Sequence, residues 1–135
     1  MSLHENFGKG NKDANPTLTA NDIVYTPRDI ARQMIAFYTG NLVREFGPEV
    51  GGISQIKHDV VLDPCRGDGS FYDQYPDYCT KDWCEITDGR DFFDWDKRVD
   101  WIITNPPYSI YEEFCQKAFE VADNVCFLVP LSKIV

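Results

Sequence analysis

Short apolar runs that end at turns alternate with helical patterns along most of this sequence. Val99–Thr104 is apolar and rich in β-branched residues, and Asn124–Val129 resembles it. The pattern predicts five strands: 59–63, 81–86, 91–95, 99–104 and 124–129. Strands that alternate with helices and carry near-continuous apolar residues are typical of a parallel sheet covered on both faces. The sequence therefore predicts an α/β fold with a Rossmann-like, mostly parallel sheet.

One helix is predicted before the first strand. Thr26 is expected as its N-cap, Pro27 at its first position and Asp29 in its first turn. Its apolar face is expected at Ile30, Met34, Phe37 and Tyr38. Gly40 or Gly47 is expected to end it.

A second long helix is predicted after the fourth strand. Ser109 is expected as its N-cap, with Glu112 at the capping-box position. Its apolar face is expected at Phe114, Ala118, Phe119 and Ala122. A shorter helix is predicted to open at residues 70–72 and to end before Pro76.

The length of 135 residues predicts one domain. Residues 1–21 are polar and lack apolar periodicity, which predicts a flexible arm, and residues 22–135 are expected to form the domain. No apolar run approaches the roughly 20 residues of a membrane helix. The N-terminus lacks the basic-then-apolar pattern of a secretory signal, so we expect a cytoplasmic protein without a membrane partner.

Cysteine spacing and net charge exclude several kinds of site. The five cysteines form no Cys-x-x-Cys pair and only two histidines accompany them, so neither a disulfide framework nor a metal site is expected. The net charge of −9 opposes binding to nucleic acid by this chain alone, because that affinity depends on Lys and Arg. A nucleic-acid substrate would require local contacts, or an additional recognition segment or subunit.

Polar motifs follow three of the predicted strands: Asp63–Gly69, Glu85 and Asn105–Tyr108. Ligands of parallel sheets bind beyond the carboxyl ends of the strands. Gly67 and Gly69 let backbone approach a ligand, and the following helix presents N–H groups that suit a carboxylate. Glu85 lies about 20 positions after Asp63. In nucleotide-binding folds an acidic residue at this distance holds ribose hydroxyls. Each motif alone also fits a tight turn or a solvated charge, and their shared position favours a site.

Asn105 begins the motif Asn-Pro-Pro-Tyr. Pro106 and Pro107 lack backbone N–H groups and fix φ, so they form a rigid corner behind a buried strand. We expect this corner to present the Asn105 side-chain oxygen and the Pro106 carbonyl as two acceptors. Two acceptors suit a planar –NH₂ group that must become nucleophilic, because they stabilise the developing positive charge. Tyr108 offers a flat surface on which a base or an amide can stack.

Residues 63–71 (Asp-Pro-x-x-Gly-x-Gly-x-Phe), followed by the motif at 105–108, resemble the amino-methyltransferases. The similarity is greatest to the N6-adenine DNA methyltransferases of restriction–modification systems and phages. It runs from about Val24 to Leu131 and includes Tyr-Thr-Pro at 25–27 and Gly-Arg-Asp-Phe-Phe at 89–93. The strand at 125–131 resembles the one that follows the family's catalytic motif.

The resemblance implies the methyltransferase type of Rossmann-like fold, S-adenosylmethionine as cofactor, and methyl transfer to the N6 amino group of adenine in DNA. It assigns the cofactor site to Tyr25, Thr26, Pro27, Asp63, Cys65, Gly67, Gly69, Phe71, Glu85, Ile86, Asp91 and Phe92. It assigns catalysis to Asn105, Pro106, Pro107 and Tyr108. In this assignment Asn105 and Pro106 hold the target amino group, and Tyr108 stacks on a base flipped out of its helix.

The sequence departs from the family pattern in three places. Arg66 stands where a small residue is usual, and the segment from Glu85 to Val99 is too short for the usual intervening helix. Two further strands and a target-recognition region would lie beyond Val135. We therefore expect a partial catalytic core whose DNA contacts need another segment or subunit.

Other functions fit the same residues. Cytosine N4, an RNA base or a protein glutamine amide presents the same –NH₂ group to the Asn-Pro-Pro-Tyr motif. A non-catalytic cofactor-binding or partner module is a further alternative. The last strand is expected at the edge of the sheet, where it could pair with a second copy in a homo-oligomer.

Overall fold

Four parallel strands form one sheet in the computed structural model, which describes residues 15–16, 25–40 and 55–130. They are β1 (Val60–Asp63), β2 (Thr80–Trp83), β3 (Val99–Thr104) and β4 (Ala122–Phe127). Their order is β2-β1-β3-β4, and each neighbouring pair is parallel. The predicted α/β fold with a parallel sheet is confirmed.

The predicted flexible arm lies outside the described ranges except for Asn15 and Pro16. Gly47, the residues that follow it to position 54, and the last five residues also lie outside them. No helix in the described part of the chain is both long enough and apolar enough to cross a membrane.

Alternating strand residues build a separate apolar cluster on each face of the sheet. Val61, Trp101 and Ile103 face one cluster, which contains Ala31 and Ile35 of the first helix. Leu62 and Ile102 face the other cluster, where they meet Phe114 and Ala118 of the second helix. Successive strand residues point to opposite faces, so near-continuous apolar strands require cover on both sides.

Helix α1 spans Arg28–Thr39 and ends at Gly40, whose φ of 84° is left-handed. Gly40 was one of the two predicted ends. The predicted N-terminus is wrong by one position, because Pro27 is the N-cap and no side chain caps the helix. The backbone N–H of Ala31 donates to the Pro27 carbonyl at 3.1 Å. The Thr26 hydroxyl instead accepts a hydrogen bond from Asn105.

The buried face of α1 differs from the predicted one. Its buried residues are Ala31, Ile35 and Ala36, whereas Ile30 is 38% exposed. Met34 and Tyr38 pack at the margin of the cluster as predicted. Alanine carries little hydrophobic signal in a sequence, but its small side chain lets a helix lie close to the sheet.

The predicted strand at 91–95 is wrong, since Phe92–Asp94 forms a turn of 3₁₀ helix. The Asp91 carboxylate accepts a hydrogen bond from the backbone N–H of Phe93 at 3.0 Å. Aspartate side chains that bond nearby backbone in this way favour turns over strands. Another 3₁₀ turn, Ile86–Asp88, includes the last residue of the predicted second strand, whereas β2 itself ends at Trp83. The short helix predicted after the glycines is a 3₁₀ turn at Tyr72–Gln74.

Helix α2 spans Tyr111–Val121 and begins later than predicted. A 3₁₀ turn at Tyr108–Ile110 precedes it, so Ile110 rather than Ser109 is the N-cap. Phe114 and Ala118 are buried as predicted, but Phe119 is 67% exposed. Ala122 is the first residue of β4 and not a member of the helix. This strand, predicted as the fifth at 124–129, is therefore the fourth and begins two residues earlier.

The strand order places a topological switch between β1 and β3. The chain leaves β1 toward β2 on one side, and β3 then lies on the other side of β1. The loops after β1 and β3 consequently diverge, and a crevice opens between them at the carboxyl ends of the strands.

Candidate active site

A cavity of about 490 Å³ lies beyond the carboxyl ends of β1, β2 and β3. Its walls come from the loops that follow these three strands and from the segment before α1. The volume is within the range of small-molecule and cofactor sites, roughly 300–1,000 Å³. Eleven of the residues assigned from the sequence line it: Tyr25, Thr26, Cys65, Gly67, Phe71, Glu85, Ile86, Asp91, Phe92, Asn105 and Pro107.

Five assigned residues do not line the cavity: Pro27, Asp63, Gly69, Pro106 and Tyr108. Asp63 is fully buried at the end of β1, where it supports the loop from behind. Pro27 begins α1, and Gly69 turns the chain behind the loop. Tyr108 is half-buried beside Asn105. These five are neighbours of the cavity wall.

Other lining residues were not assigned from the sequence: Pro16, Pro64, Arg66, Asp68, Ser70, Thr87, Asp88, Phe93, Thr104, Ile110 and Phe114. Several of them are sequence neighbours of assigned residues, so the motifs marked the right loops. Phe114 was predicted only as a core residue of a helix. Pro16 carried no signal, because nothing in the polar sequence around it indicates a contact with the cavity.

The glycine loop after β1 uses backbone conformations that favour glycine. Gly67 has φ 57° and Gly69 has φ 87°. A Cβ atom on Gly67 would lie 3.1 Å from the ring of Tyr25, and one on Gly69 would lie 2.6 Å from a carboxylate oxygen of Asp73. The Asp73 carboxylate in turn pairs with Arg28 of α1 at 3.1 Å. The loop is therefore fixed against the segment that enters α1.

Glu85 joins the glycine loop to the loop after β2. One carboxylate oxygen accepts a hydrogen bond from the Gly67 backbone N–H at 2.8 Å. The other accepts from the backbone N–H of Thr87 at 3.1 Å and from its hydroxyl at 2.9 Å. Carboxylate oxygens can accept further bonds, so this fixed side chain retains acceptor capacity toward the cavity.

Asp63 connects the ends of β1 and β3. One oxygen accepts hydrogen bonds from the Thr104 hydroxyl at 2.8 Å and from the Cys65 backbone N–H at 3.2 Å. The other oxygen is buried without a hydrogen-bond partner of normal geometry, although the Tyr72 N–H lies near enough to favour the charged form. Burial outweighs these attractions and raises the pKa of Asp63 to about 7.

Cys65 links the loop after β1 to Asn105, which the resemblance assigns to catalysis. Its thiol donates to the backbone carbonyl of Asn105 at 3.2 Å and lies 3.4 Å from the Thr104 hydroxyl. Burial raises the pKa of this thiol well above its ordinary value, so it stays protonated and serves as a donor.

Asn105 is held at both ends of its side-chain amide. The amide nitrogen donates to the Thr26 hydroxyl at 3.0 Å, and the amide oxygen accepts from the Tyr108 hydroxyl at 2.6 Å. The Tyr108 hydroxyl also lies 3.2 Å from the carbonyl of Leu128, just after β4. Desolvation raises the pKa of Tyr108, so the phenol remains a donor.

Apolar side chains line the end of the cavity on the sheet face that α2 covers. Phe92 and Phe114 have ring centroids 4.7 Å apart, and Phe93 lies 5.9 Å from Phe114. Beside them, Asp91 accepts a hydrogen bond from the Asn15 side chain at 2.9 Å. Asn15 also bonds Asp94 at 3.1 Å, and Pro16 reaches the cavity wall. Asn15 and Pro16 therefore lie at the cavity beside Asp91.

The charge around the cavity is predominantly negative. Its described lining includes four acidic side chains, Asp68, Glu85, Asp88 and Asp91, and one basic side chain, Arg66. Arg66 pairs with Asp88 at 2.8 Å, which cancels one of the negative charges. Hydrogen-bond donors and a cation on a ligand would match this lining. The site thus combines an apolar wall, fixed carboxylates and a fixed amide.

Replacing Asp63 by asparagine (D63N) tests the cost of this buried carboxyl group. Between about pH 4 and 7 the native protein keeps a proton on Asp63 that the unfolded chain has lost, so wild-type stability falls as the pH rises through this window. An asparagine does not titrate. We expect urea unfolding to show that D63N, measured relative to wild type, gains on the order of 2–4 kcal/mol between pH 4 and 8. A difference that stays constant with pH would contradict this assignment.

Comparison with known proteins identifies the fold. No protein-family model and no curated protein matches this sequence. Among solved structures, the chain is similar to a protein from Pyrococcus horikoshii described as a "putative RNA methyltransferase", with a TM-score of 0.56 and 19% sequence identity. The similarity covers 89% of this chain and 69% of that chain. The described residues therefore have the Rossmann-like methyltransferase fold that the sequence predicted.

Proposed function

We propose that this chain binds S-adenosylmethionine in the cavity and transfers its methyl group to the N6 amino group of adenine in DNA. The observation that carries the proposal is the position of Asn105. Its side-chain amide lies at the cavity wall, next to a glycine loop and fixed carboxylates, at the switch between β1 and β3. This arrangement brings an acceptor for an amino group to the edge of a site suited to a nucleoside.

The lining of the cavity fits the parts of S-adenosylmethionine. Glu85 retains acceptor capacity for ribose hydroxyls, and Asp91 is the proposed acceptor for the adenine amino group. Phe92 and Phe114 provide an apolar surface for the adenine ring. The negative lining also favours a ligand that carries a sulfonium and an ammonium group. When bound, the cofactor supplies an electrophilic methyl group.

The residues of the Asn-Pro-Pro-Tyr motif would act on the incoming amino group. Its nitrogen would form the new bond to the methyl carbon as the carbon–sulfur bond breaks, sulfur would keep the bonding electrons as a neutral thioether, and the methylated amine would release one proton to solvent. The Asn105 oxygen and the Pro106 carbonyl are the proposed acceptors for the two N–H groups. Fixed acceptors stabilise the charge that develops on nitrogen without reorganising during the reaction. Holding the amine in line with the methyl group adds a further large contribution.

The methyl acceptor in this proposal is an adenine base of DNA. The resemblance around Tyr25–Pro27 supports adenine in DNA. RNA is the second candidate, because the similar Pyrococcus horikoshii protein is described as acting on RNA. A glutamine amide and cytosine N4 present the same chemistry. The net charge of −9 implies that the basic contacts to a nucleic acid are local or come from another segment or subunit.

Replacing Asn105 by alanine (N105A) separates binding from transfer. We expect the N105A protein to bind S-adenosylmethionine with a Kd within about twofold of wild type, because Asn105 serves the acceptor group. Its kcat should fall by on the order of 100-fold, the usual cost of removing one fixed polar group that stabilises a transition state. Calorimetry measures the Kd, and transfer of labelled methyl groups measures kcat. Equal kcat in both proteins would refute the role of Asn105.

The choice of acceptor is tested with labelled cofactor and four substrates. These are DNA duplexes with and without adenine, an RNA of mixed sequence, and a glutamine-containing peptide. The proposal predicts label only in adenine-containing DNA, recovered as N6-methyladenine. Label in RNA or in the peptide would show that this molecule, and not DNA, is the methyl acceptor. Failure of the wild-type protein to bind S-adenosylmethionine would refute both the cofactor and the enzymatic function.

The N-terminal segment is expected to strengthen cofactor binding. Replacing Asn15 by alanine (N15A) removes its hydrogen bonds to Asp91 and Asp94, and N15D adds a negative charge beside both. We expect the Kd for S-adenosylmethionine to rise about three- to tenfold in N15A, the effect of roughly one hydrogen bond, and further in N15D. The control N124A removes a hydrogen bond between β4 and β3, away from the cavity. It should leave the Kd unchanged, and an unchanged Kd in N15A would exclude this role.

We also propose that the outer edge of β4 pairs with a second copy of the chain. Among the described strands, β4 pairs only with β3, so one row of its backbone groups has no strand beside it. Such edges attract another strand. We expect light scattering to give a dimer mass. A fully active monomer would exclude this proposal.

A further inference from the structure

Thr26 and Asn105 meet across 79 residues of sequence at the wall of the cavity. The Asn105 amide nitrogen donates to the Thr26 hydroxyl oxygen at 3.0 Å. Thr26 is only 7% exposed, and it lies two residues before the start of α1. The hydrogen bond therefore joins the entrance of α1 to the corner that follows β3.

The hydroxyl of Thr26 is not used to cap the helix. Pro27 is the N-cap of α1, and no side chain forms a capping hydrogen bond there. Buried hydroxyl groups normally need a hydrogen-bond partner, and the partner of the Thr26 hydroxyl is the Asn105 amide. Thr26, which the sequence predicts as a helix cap, thus bonds a side chain of the site instead.

An asparagine amide has two ends of similar size and opposite hydrogen-bonding character. Rotation by half a turn about its last side-chain bond exchanges the oxygen acceptor with the –NH₂ donor. If the Asn105 –NH₂ group faced an incoming amine, two donors would meet and the amine would be repelled. Methyl transfer to an amino group therefore requires one of the two orientations.

In the structure the hydroxyl groups of two neighbours bond the two ends of the amide. Thr26 accepts from the nitrogen, whereas Tyr108 donates to the oxygen at 2.6 Å. The oxygen retains a second lone pair after bonding Tyr108, so it can still accept from an amine. The nitrogen end is the one that must be kept away from the amine, and Thr26 holds that end.

We propose that Thr26 is a positioning residue for Asn105, and that its hydroxyl fixes the amide so that the oxygen serves the target amino group. The inference rests on the proposed function. Thr26 acts through Asn105 and does not need to touch the amine. The segment before α1, which the resemblance connects with the cofactor, would thereby also position the residue that binds the target amino group.

The variants T26V and T26S separate this role from that of a cofactor contact. Valine keeps the shape of threonine but removes the hydroxyl, and serine restores it. We expect kcat to fall at least tenfold in T26V and to stay within threefold of wild type in T26S, while the Kd for S-adenosylmethionine changes less than twofold in both. Unchanged kcat in T26V would overturn the proposal. A rise in Kd large enough to account for the lost activity would also overturn it.

A second measurement needs neither cofactor nor substrate. In nitrogen-15 NMR spectra of the full chain, the two side-chain N–H signals of Asn105 are assigned by their loss in N105D. We expect these protons to exchange with water at least fivefold faster in T26V than in wild type, and at the wild-type rate in T26S. The control T87V removes another hydroxyl from the cavity wall, one that bonds Glu85, and should leave the Asn105 signals unchanged.

The two measurements distinguish the possible failures. If the wild-type protein transfers no methyl group but T26V alters the Asn105 signals, the proposed function fails and the hydrogen bond stands. If methyl transfer occurs and T26V leaves the signals and kcat unchanged, the proposed function stands and the positioning role of Thr26 is overturned.

Discussion

The hydrogen bond between Thr104 and Asp63 holds the site together at its base. It joins the last residue of β3 to the last residue of β1, on the two sides of the topological switch. The same Asp63 oxygen fixes the backbone of Cys65, and the Cys65 thiol in turn holds the Asn105 carbonyl. Three successive contacts therefore connect the loop after β1 to the loop after β3. They add to the pairing of β1 with β3 in fixing the glycine loop relative to the proposed catalytic corner.

These contacts lower the stability of the native protein, because the carboxyl group of Asp63 is buried where its ionisation is opposed. Burial raises the pKa of Asp63 to about 7, and one of its oxygens has no partner of normal geometry. An apolar residue would remove that cost, but it could not accept from Thr104 and Cys65 together. Such a cost is typical of a residue that serves the geometry of a site, because perturbed pKa values cluster at functional sites.

The charge of the cavity also limits how a nucleic acid could approach. Asp68, Glu85 and Asp91 line the cavity and would repel phosphate groups. A base that has been flipped out of its helix brings a neutral aromatic ring to the site and leaves its phosphates outside. The acidic lining therefore suits the cofactor and is compatible with a base as acceptor, provided that the phosphate contacts are made elsewhere. Under the proposed function, this division reconciles the net charge of −9 with DNA as the substrate.

The sequence predicted those features that depend on strong local signals. Val99–Thr104 was predicted with its observed limits, and Gly40 as one of two helix ends, because β-branched runs and a left-handed glycine constrain the backbone directly. The turn at Phe92–Asp94 was mistaken for a strand because its aromatic residues are typical of strands, whereas the Asp91 side chain favours the turn. The position of Asn15 at the cavity left no local signal, since only the folded chain brings it to Asp91.

Two departures from the methyltransferase pattern have one structural explanation. The segment between β2 and β3 contains 3₁₀ turns at Ile86–Asp88 and Phe92–Asp94, where the family pattern has a helix. Without that helix, Trp83 at the end of β2 needs another cover. The guanidinium of Arg66 lies 3.7 Å from the centre of its ring and that of Arg90 lies 4.0 Å from it, and both contacts are attractive.

Each of these arginines is held by a nearby carboxylate. Arg66 pairs with Asp88 at 2.8 Å, and Arg90 pairs with Asp82 at 2.7 Å. The unusual arginine in the glycine loop and the shortened connection are therefore parts of the same arrangement. A small residue in place of Arg66 would leave Trp83 covered by Arg90 alone among these stacking contacts. The cavity wall beside Glu85 would then lose one of the two arginine–carboxylate pairs that cover Trp83 in place of a helix.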